Sequence, residues 1–252
     1  MPLRPIVSSI FSITSGAEQY LLKILKPLVE KCKFSLSSTK VFKEKFMKIT
    51  QNFTNFYEIF NIDATSLYTS INVPRVIDHI VSEIYTDPDS YFNDNNLGSF
   101  PPKNIFKDFI IGILLEFNTF ETLQGYYRQK EGLSMGGKLS SAISNIFLNM
   151  LECEIIQGYL DQNILLFYGR YVDDCLLIVR KRYKNIILSK MNEFDSFLKF
   201  TSEKMQENSI KFLDTTVFIN NSELQLKRFF KHENVVINYK KLFHLYKTKI
   251  HA

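Results

Sequence analysis

The sequence predicts an α+β fold, a small antiparallel sheet with several helices packed on one face. Three observations carry this expectation. Amphipathic helical stretches alternate with short runs rich in aromatic and branched residues, two of those runs flank a tight acidic turn, and no internal repeat interrupts the pattern.

At 252 residues and 45% hydrophobic, the chain is long enough to bury a sizeable core. Thirty-one Lys and Arg against 26 Asp and Glu leave a formal charge of +5, beside 23 phenylalanines and 13 tyrosines. That excess permits a polyanionic partner without requiring one. Cys32, Cys153 and Cys175 are too few for a disulfide framework, and no Cys/His cluster has zinc spacing, so an intracellular setting is expected. The longest apolar run, Phe109 to Leu115, is broken by Gly112 and falls short of the roughly 18 residues of a membrane span. No signal-peptide core follows Arg4. Membrane readings are set aside.

Residues 1–14 read as an extended segment that begins abruptly, as though the domain started upstream. Ser15, with Glu18 closing a capping box, opens a helix lined by Ala17, Tyr20, Leu21, Ile24, Leu25 and Leu28, which Pro27 should kink or end. A second helix is expected from about Ser38 to Phe53, with lysines on its outer face. Phe56 to Ile62 reads as a strand that delivers Asp63 at its end. Asn72 caps the next helix, and Pro74 falls in its first turn. Residues 86–102 read as a long polar loop, and Lys103 to Phe117 as a helix returning to the core.

Tyr126 to Lys130 leads into a glycine-marked turn, Glu131 to Gly137, after which a long helix starts near Lys138 with Leu139, Ile143, Ile146, Phe147 and Met150 on its core stripe. Ile164–Phe167 and Leu176–Val179 are strands around Asp173 and Asp174. Tyr183 to Phe200 is read as an amphipathic helix, Ile210 to Ile219 as one strand, and Glu223 to Phe230 as its hairpin partner after an Asn220-Asn221 turn. The last 22 residues are basic and aromatic, without an evident element.

Asp173 and Asp174 repel each other, and either solvent or a bound cation must offset them. Taken alone, an acidic turn is ordinary. Asp63 changes its weight, because a strand beside the hairpin would bring all three carboxylates to one end of a sheet. Rigidly held carboxylates of this kind suit two-metal phosphoryl transfer, in which cations about 3.5–4 Å apart clamp the attacking and leaving oxygens.

Tyr171-Val172-Asp173-Asp174 between apolar strands resembles the catalytic hairpin of reverse transcriptases. FNIDATSLYTSI at Phe60 to Ile71 resembles their first aspartate motif, and EGLSMGGKLSSAISNIFLNMLE at Glu131 to Glu152 their glycine turn and following helix. The wording looks most like the Penelope-like class of retroelements, in RPIVSS at Arg4 to Ser9, SLYT after the first aspartate, RYVDD, and KFLDTTV at Lys211 to Val217. The ordered motifs cover most of residues 4–219.

The resemblance implies a polymerase palm with partial fingers: residues 1–55 as fingers and connecting helices, 56–230 as the palm, and 231–252 as the start of a truncated thumb. It further implies an RNA-directed DNA polymerase that extends a DNA primer on an RNA template with deoxynucleotides. Two magnesium ions, for which manganese can substitute, would be held by Asp63, Asp173 and Asp174, and the enzyme would act in the nucleus. Tyr68 would be the aromatic gate under the sugar; a core aromatic is the alternative. Arg4 would grip the triphosphate, unless it is merely solvated. Met135 and Gly136 would contact the nucleotide, although a core methionine and a plain turn explain them equally. Gly132, Lys138, Arg170 and Tyr171 would touch primer or template; otherwise Arg170 is an exposed surface charge and Tyr171 packs on the sheet. Asp214 belongs to a motif that grips the primer or is a strand-edge acid, and Lys199 and Lys204 are potential proton donors to pyrophosphate.

Two departures from the family wording stand out. The glycine turn lacks both prolines of MGSPLSP, reading Met135-Gly136-Gly137-Lys138-Leu139-Ser140-Ser141, which predicts a looser turn. Little length remains for fingers and thumb, so a remnant that binds nucleic acid without copying it, and an RNA polymerase with a similar palm, stand as alternatives.

Overall fold

The computed structural model describes residues 12–50, 53–116, 119–122, 124–221 and 223–228. Arg4, its surrounding motif and the 231–252 segment lie outside these. In chain order the first elements are α1 (Ser15–Glu30), α2 (Thr39–Met47), β1 (Tyr57–Thr65), α3 (Val73–Tyr85), α4 (Pro88–Asp94) and α5 (Lys103–Ile111). A short hairpin follows, β2 (Thr119–Thr122) and β3 (Gly125–Arg128), then α6 (Lys138–Leu151), a π-helical segment Glu152–Ile156, and α7 (Gln157–Asp161). The last are β4 (Leu165–Tyr171), β5 (Asp174–Arg180), α8 (Lys184–Glu193), β6 (Lys199–Lys204), β7 (Ser209–Phe212), β8 (Thr215–Asn220) and β9 (Glu223–Arg228).

β1 organises the molecule. It pairs antiparallel with β5 on one side and β6 on the other, and β4 extends the sheet beyond β5, giving the order β4-β5-β1-β6. Strand alternation divides its side chains between two cores. Phe60, Ile62 and Ala64 face the large core, where Leu21, Ile24 and Leu25 of α1, Val76, Ile77 and Ile80 of α3, and Ile143, Ile146 and Phe147 of α6 cover them. Ile59, with Leu176 and Ile178 of β5, faces the other way, onto Phe42 and Phe46 of α2 and Ile210, Phe212, Val217 and Leu224 of the β7-β8-β9 sheet. The outer edge of β4 is closed by main chain: Arg170 N–H donates to the Phe34 carbonyl, and Leu36 N–H to that of Arg170. That contact removes an exposed strand edge.

Several local expectations are corrected. Thr14, not Ser15, precedes α1, and its hydroxyl donates to the Glu18 carboxylate; Pro27 lies inside the helix, which continues to Glu30 because its buried leucines outweigh one lost backbone bond. α2 starts after its Ser38 cap but stops at Met47, short of Phe53. Residues 86–102 are not all loop: Asp87 caps α4, Pro88 opens it, and Tyr91 and Phe92 are buried, with the Tyr91 hydroxyl donating to the Ile24 carbonyl. The predicted Tyr183–Phe200 helix ends at Glu193; residues 194–198 are irregular, and Lys199 and Phe200 open β6. Ile210–Ile219 is two strands, folded back at Leu213, which has φ +53°.

α6, the π-helical segment and α7 form a continuous helix, Lys138–Asp161, long and apolar enough by length and composition to cross a membrane. It lies within the protein against α1 and the sheet, with 61% of its most apolar 18-residue stretch buried.

Burial sets the reactivity of the three thiols. It pushes Cys32 up to about 11 and Cys175 up to about 12, whereas Cys153 is exposed. Both raised values lie above pH 8, so those thiols stay protonated and unreactive there. Iodoacetamide at pH 8 is expected to label Cys153 alone in the native protein and all three after denaturation, as read by peptide mass spectrometry; native labelling of Cys175 at the Cys153 rate would contradict this packing.

Candidate active site

The β1–β5 register brings two of the acids together directly. Asp63 is the Cα partner of Asp174, Tyr171 pairs with Asp174 across the hairpin, and both acids are exposed. Their side chains share a sheet face, since opposed residues in an antiparallel pair stand about 4.5–5.5 Å apart on the same side. Asp173 occupies the turn one residue earlier. Its carbonyl accepts from Ala64 N–H at 3.4 Å, and its charge is felt at the Tyr68 phenol. The backbones of the three acids therefore lie together at one end of β1, with Tyr68 near Asp173.

This end of the sheet carries carboxylate oxygens, a set that suits a hard divalent cation, and the neighbouring Cys175 thiol is buried and stays protonated. As the side chains stand, no group of three or more His, Cys, Asp or Glu is close enough to hold a metal among the described residues. Asp63 and Asp174 nevertheless sit on paired backbones, so the strands hold the two carboxylates as neighbours on one face.

The turn is strained and braced. Val172 and Asp173 form the two-residue loop between Tyr171 and Asp174, and Val172 adopts φ +58°, a conformation that a β-branched residue resists by about 1–3 kcal/mol. Arg170 holds it. Its Nη1 donates to the Val172 carbonyl at 3.2 Å and to Asn145 Oδ1 at 2.7 Å, while Nε and Nη2 form a fork on the Glu152 carboxylate at 2.6 and 3.2 Å. The Tyr168 hydroxyl donates to the same carboxylate at 3.0 Å. Arg170 and Glu152 are 1% and 0% exposed. Burial alone would lower the Arg170 pKa, but the charge and hydrogen bonds of Glu152 outweigh it and raise the value above normal. Arg170 is thus neither a surface charge nor a contact for primer or template.

Other expected nucleic-acid contacts also turn inward. Gly132 is buried at φ +70°, and a Cβ there would lie 2.4 Å from the Thr69 carbonyl oxygen; its close approach is to the protein's own chain, where Leu133 N–H donates to the Tyr68 carbonyl at 2.7 Å. The Lys138 ammonium donates to the Ser15 hydroxyl and so is directed at α1. Lys199 Nζ is bound by the carbonyls of Asn192 and Asp195, and Lys204 stands opposite Phe60, three positions along β6 from the Thr201–Asp63 pair.

Tyr68, Met135, Gly136 and Tyr171 are the other expected contacts. Tyr68 is half-buried, and its phenol is raised above the normal value, first by burial and then by the Asp173 charge, with hydrogen bonds to Ser144 and Ser141 opposing. Met135 is half-buried; Gly136 is exposed at φ +101°, which glycine alone adopts readily. Tyr171 and Asp174 line a cleft of about 640 Å³ with Asn61, Lys211 and Asp214, the last accepting from Thr39 Oγ1 at 3.2 Å. Sequence reasoning missed Glu152 and Asn145. The available signal was an acid and an amide within an otherwise apolar helical stripe.

A four-stranded antiparallel sheet backed by helices, with acidic residues of a central strand and a hairpin turn at one end, is a polymerase-palm-like architecture. The sequence pattern of the reverse transcriptase (RNA-dependent DNA polymerase) family matches residues 18–219, and the chain belongs to that family. Among solved structures, Candida albicans telomerase in complex with a fragment of telomeric RNA superposes with a TM-score of 0.62 at 18% identity, over 92% of this chain and 42% of that one. Apo telomerase of Candida tropicalis, truncated from its C-terminal domain, gives 0.62 at 14% identity, over 87% and 46%. The chain thus spans less than half the length of these neighbours, whose likeness is one of fold. No curated protein matches the sequence.

Replacing Arg170 tests the brace. Arg170→Met leaves Glu152 buried without its partner, and thermal or urea unfolding is expected to show a loss of about 3–5 kcal/mol. Glu152→Leu in the same chain should restore most of that stability while primer extension stays well below wild type, because the Val172 carbonyl remains unheld. Full activity in the stable double variant would refute a positioning role.

Proposed function

We propose that this chain is the catalytic palm of a retroelement reverse transcriptase, of the Penelope-like class, extending a DNA primer on an RNA template with deoxynucleotides. The pairing of Asp63 with Asp174, next to Asp173 and Tyr68, carries this reading. The class rests on the RYVDD and KFLDTTV wording, and the RNA template on family membership and on the RNA-bound telomerase neighbour.

Asp63, Asp173 and Asp174 would hold two magnesium ions, or manganese in their place. When bound, such cations lower the pKa of a primer 3′-hydroxyl and neutralise charge on departing pyrophosphate. The chain's own side chains set the rest. Tyr68 offers a ring beside the acids, where a 2′-hydroxyl would meet it. Its raised pKa keeps the phenol neutral through the working pH range, so it brings no charge against the phosphates. Tyr171 and the cleft beyond Asp174 would receive the primer end, with Asp214 and Lys211 also lining that cleft. Met135 and Gly136 complete the nucleotide side, and Arg4 would meet the triphosphate.

Primer extension on an RNA template, with magnesium and manganese titrated, tests the assignment. Wild type should extend with deoxynucleotides. Asp173→Asn and Asp63→Asn should fall at least a thousandfold, and Tyr68→Ala should admit ribonucleotides. Activity retained by both aspartate variants would end the polymerase reading; primer binding without extension by wild type would point instead to a remnant.

A further inference from the structure

A second feature lies at the opposite end of the same sheet. Tyr57 pairs with Arg180 at the far end of the β1–β5 ladder, six residues along β1 from Asp63, or about 20 Å at ~3.3 Å per residue. There a recess of about 720 Å³ is lined by Phe56, Tyr57, Arg180, Lys181, Arg182 and two small polar residues, with no carboxylate. Phe56 is 80% exposed and lines this recess beside Tyr57. Lys181 N–H donates to the Phe56 carbonyl at 3.0 Å, so the two segments that carry the ring and the cations are tied side by side. The Arg182 guanidinium lies over the Tyr183 ring, 4.9 Å from its centroid, and none of the three cations forms an ion pair among the described residues.

An exposed ring beside three unneutralised cations matches one chemistry closely: a single nucleic-acid strand, whose bases stack on the aromatic face while its phosphates meet Lys and Arg. A duplex would bring phosphates but keep its base faces covered. We infer that this recess is a binding site for single-stranded nucleic acid, separate from the catalytic end of the sheet. It rests on the reading of the chain as one that handles nucleic acid, and would hold a strand away from the point of synthesis.

Fluorescence anisotropy of the full 252-residue chain with labelled 20-nucleotide oligo(U) and oligo(dT), in chelator and over a range of salt, tests this. Phe56→Ala should weaken binding at least fivefold. Lys181→Ala with Arg182→Ala should reduce the slope of log affinity against log salt by about 1.4, the value for two lost phosphate contacts on a single strand. A duplex of equal length should compete poorly. All three side chains are peripheral, so melting temperatures should match wild type, as should extension of a short hairpin primer-template that cannot reach the recess. Unchanged affinity and slope in both variants, no oligonucleotide binding by wild type, or equal competition by duplex would each overturn the proposal. Hairpin extension is read separately, so failure of the recess leaves the polymerase reading standing, and failure of extension leaves the recess measurable.

Discussion

The buried Arg170–Glu152 fork is the contact on which the geometry of the candidate active site depends. An ion pair with both partners at or below 1% exposure is seldom a net gain in stability, because desolvation of the two charges offsets most of their attraction. Its use here is positional. Arg170 joins three things that must keep register: the helix that backs the sheet, through Glu152 and Asn145; the β4 strand, through its own backbone; and the turn that carries Asp173, through the Val172 carbonyl. A flexible lysine could neutralise Glu152 but could not span all three with a rigid planar fork.

The π-helical segment fits this arrangement. It begins at Glu152 itself, the residue that must reach Arg170, and the widened turn follows directly on the fourteen-residue α6. π-bulges tend to mark places where a side chain has been redirected for function. Tyr168 and Cys175 close the same pocket, and their hydroxyl and thiol are held neutral by burial. The sheet consequently has a rigid, dry face toward the helices and an open, acidic end facing solvent. Strain at Val172 can persist because the surroundings fix it from three sides.

Much of this was legible from the residues, and the gaps have physical causes. The β1 strand, the aspartate hairpin, the Asn72 cap and the Lys138 helix are strong local patterns, and each is present. β6 was missed because Lys199–Lys204 is polar and buries only Phe200, so nothing in its own pattern separates it from the end of α8. Pairing with β1 makes it a strand. The fold-back at Leu213 was missed because a left-handed leucine gives no turn signal of the Gly or Asn kind. The inward roles of Arg170, Gly132 and Lys138 could not be read from spacing at all: each depends on a partner far away in the chain, and resemblance to a motif says which residues recur, not which way they face.

The glycine turn shows how tertiary contact can replace local preorganisation. Without proline at its start, α6 should have a loose first turn. In the structure Glu18 of α1 supplies what is missing, accepting the Lys138 N–H at 3.1 Å and so placing a carboxylate at the positive end of the helix dipole. The Lys138 side chain returns to Ser15 of the same helix, and the Ser140 hydroxyl donates to the Ser134 carbonyl across the turn at 2.6 Å. Gly137 is part of this exchange, since a Cβ there would crowd the hydroxyls of both serines at 2.7 and 2.8 Å. The serine-to-glycine and proline-to-lysine departures are therefore coupled: one makes room for the hydroxyl bridge, and the other ties the turn to α1. A capping box read as local to α1 is instead the clamp between α1 and the helix behind the candidate active site.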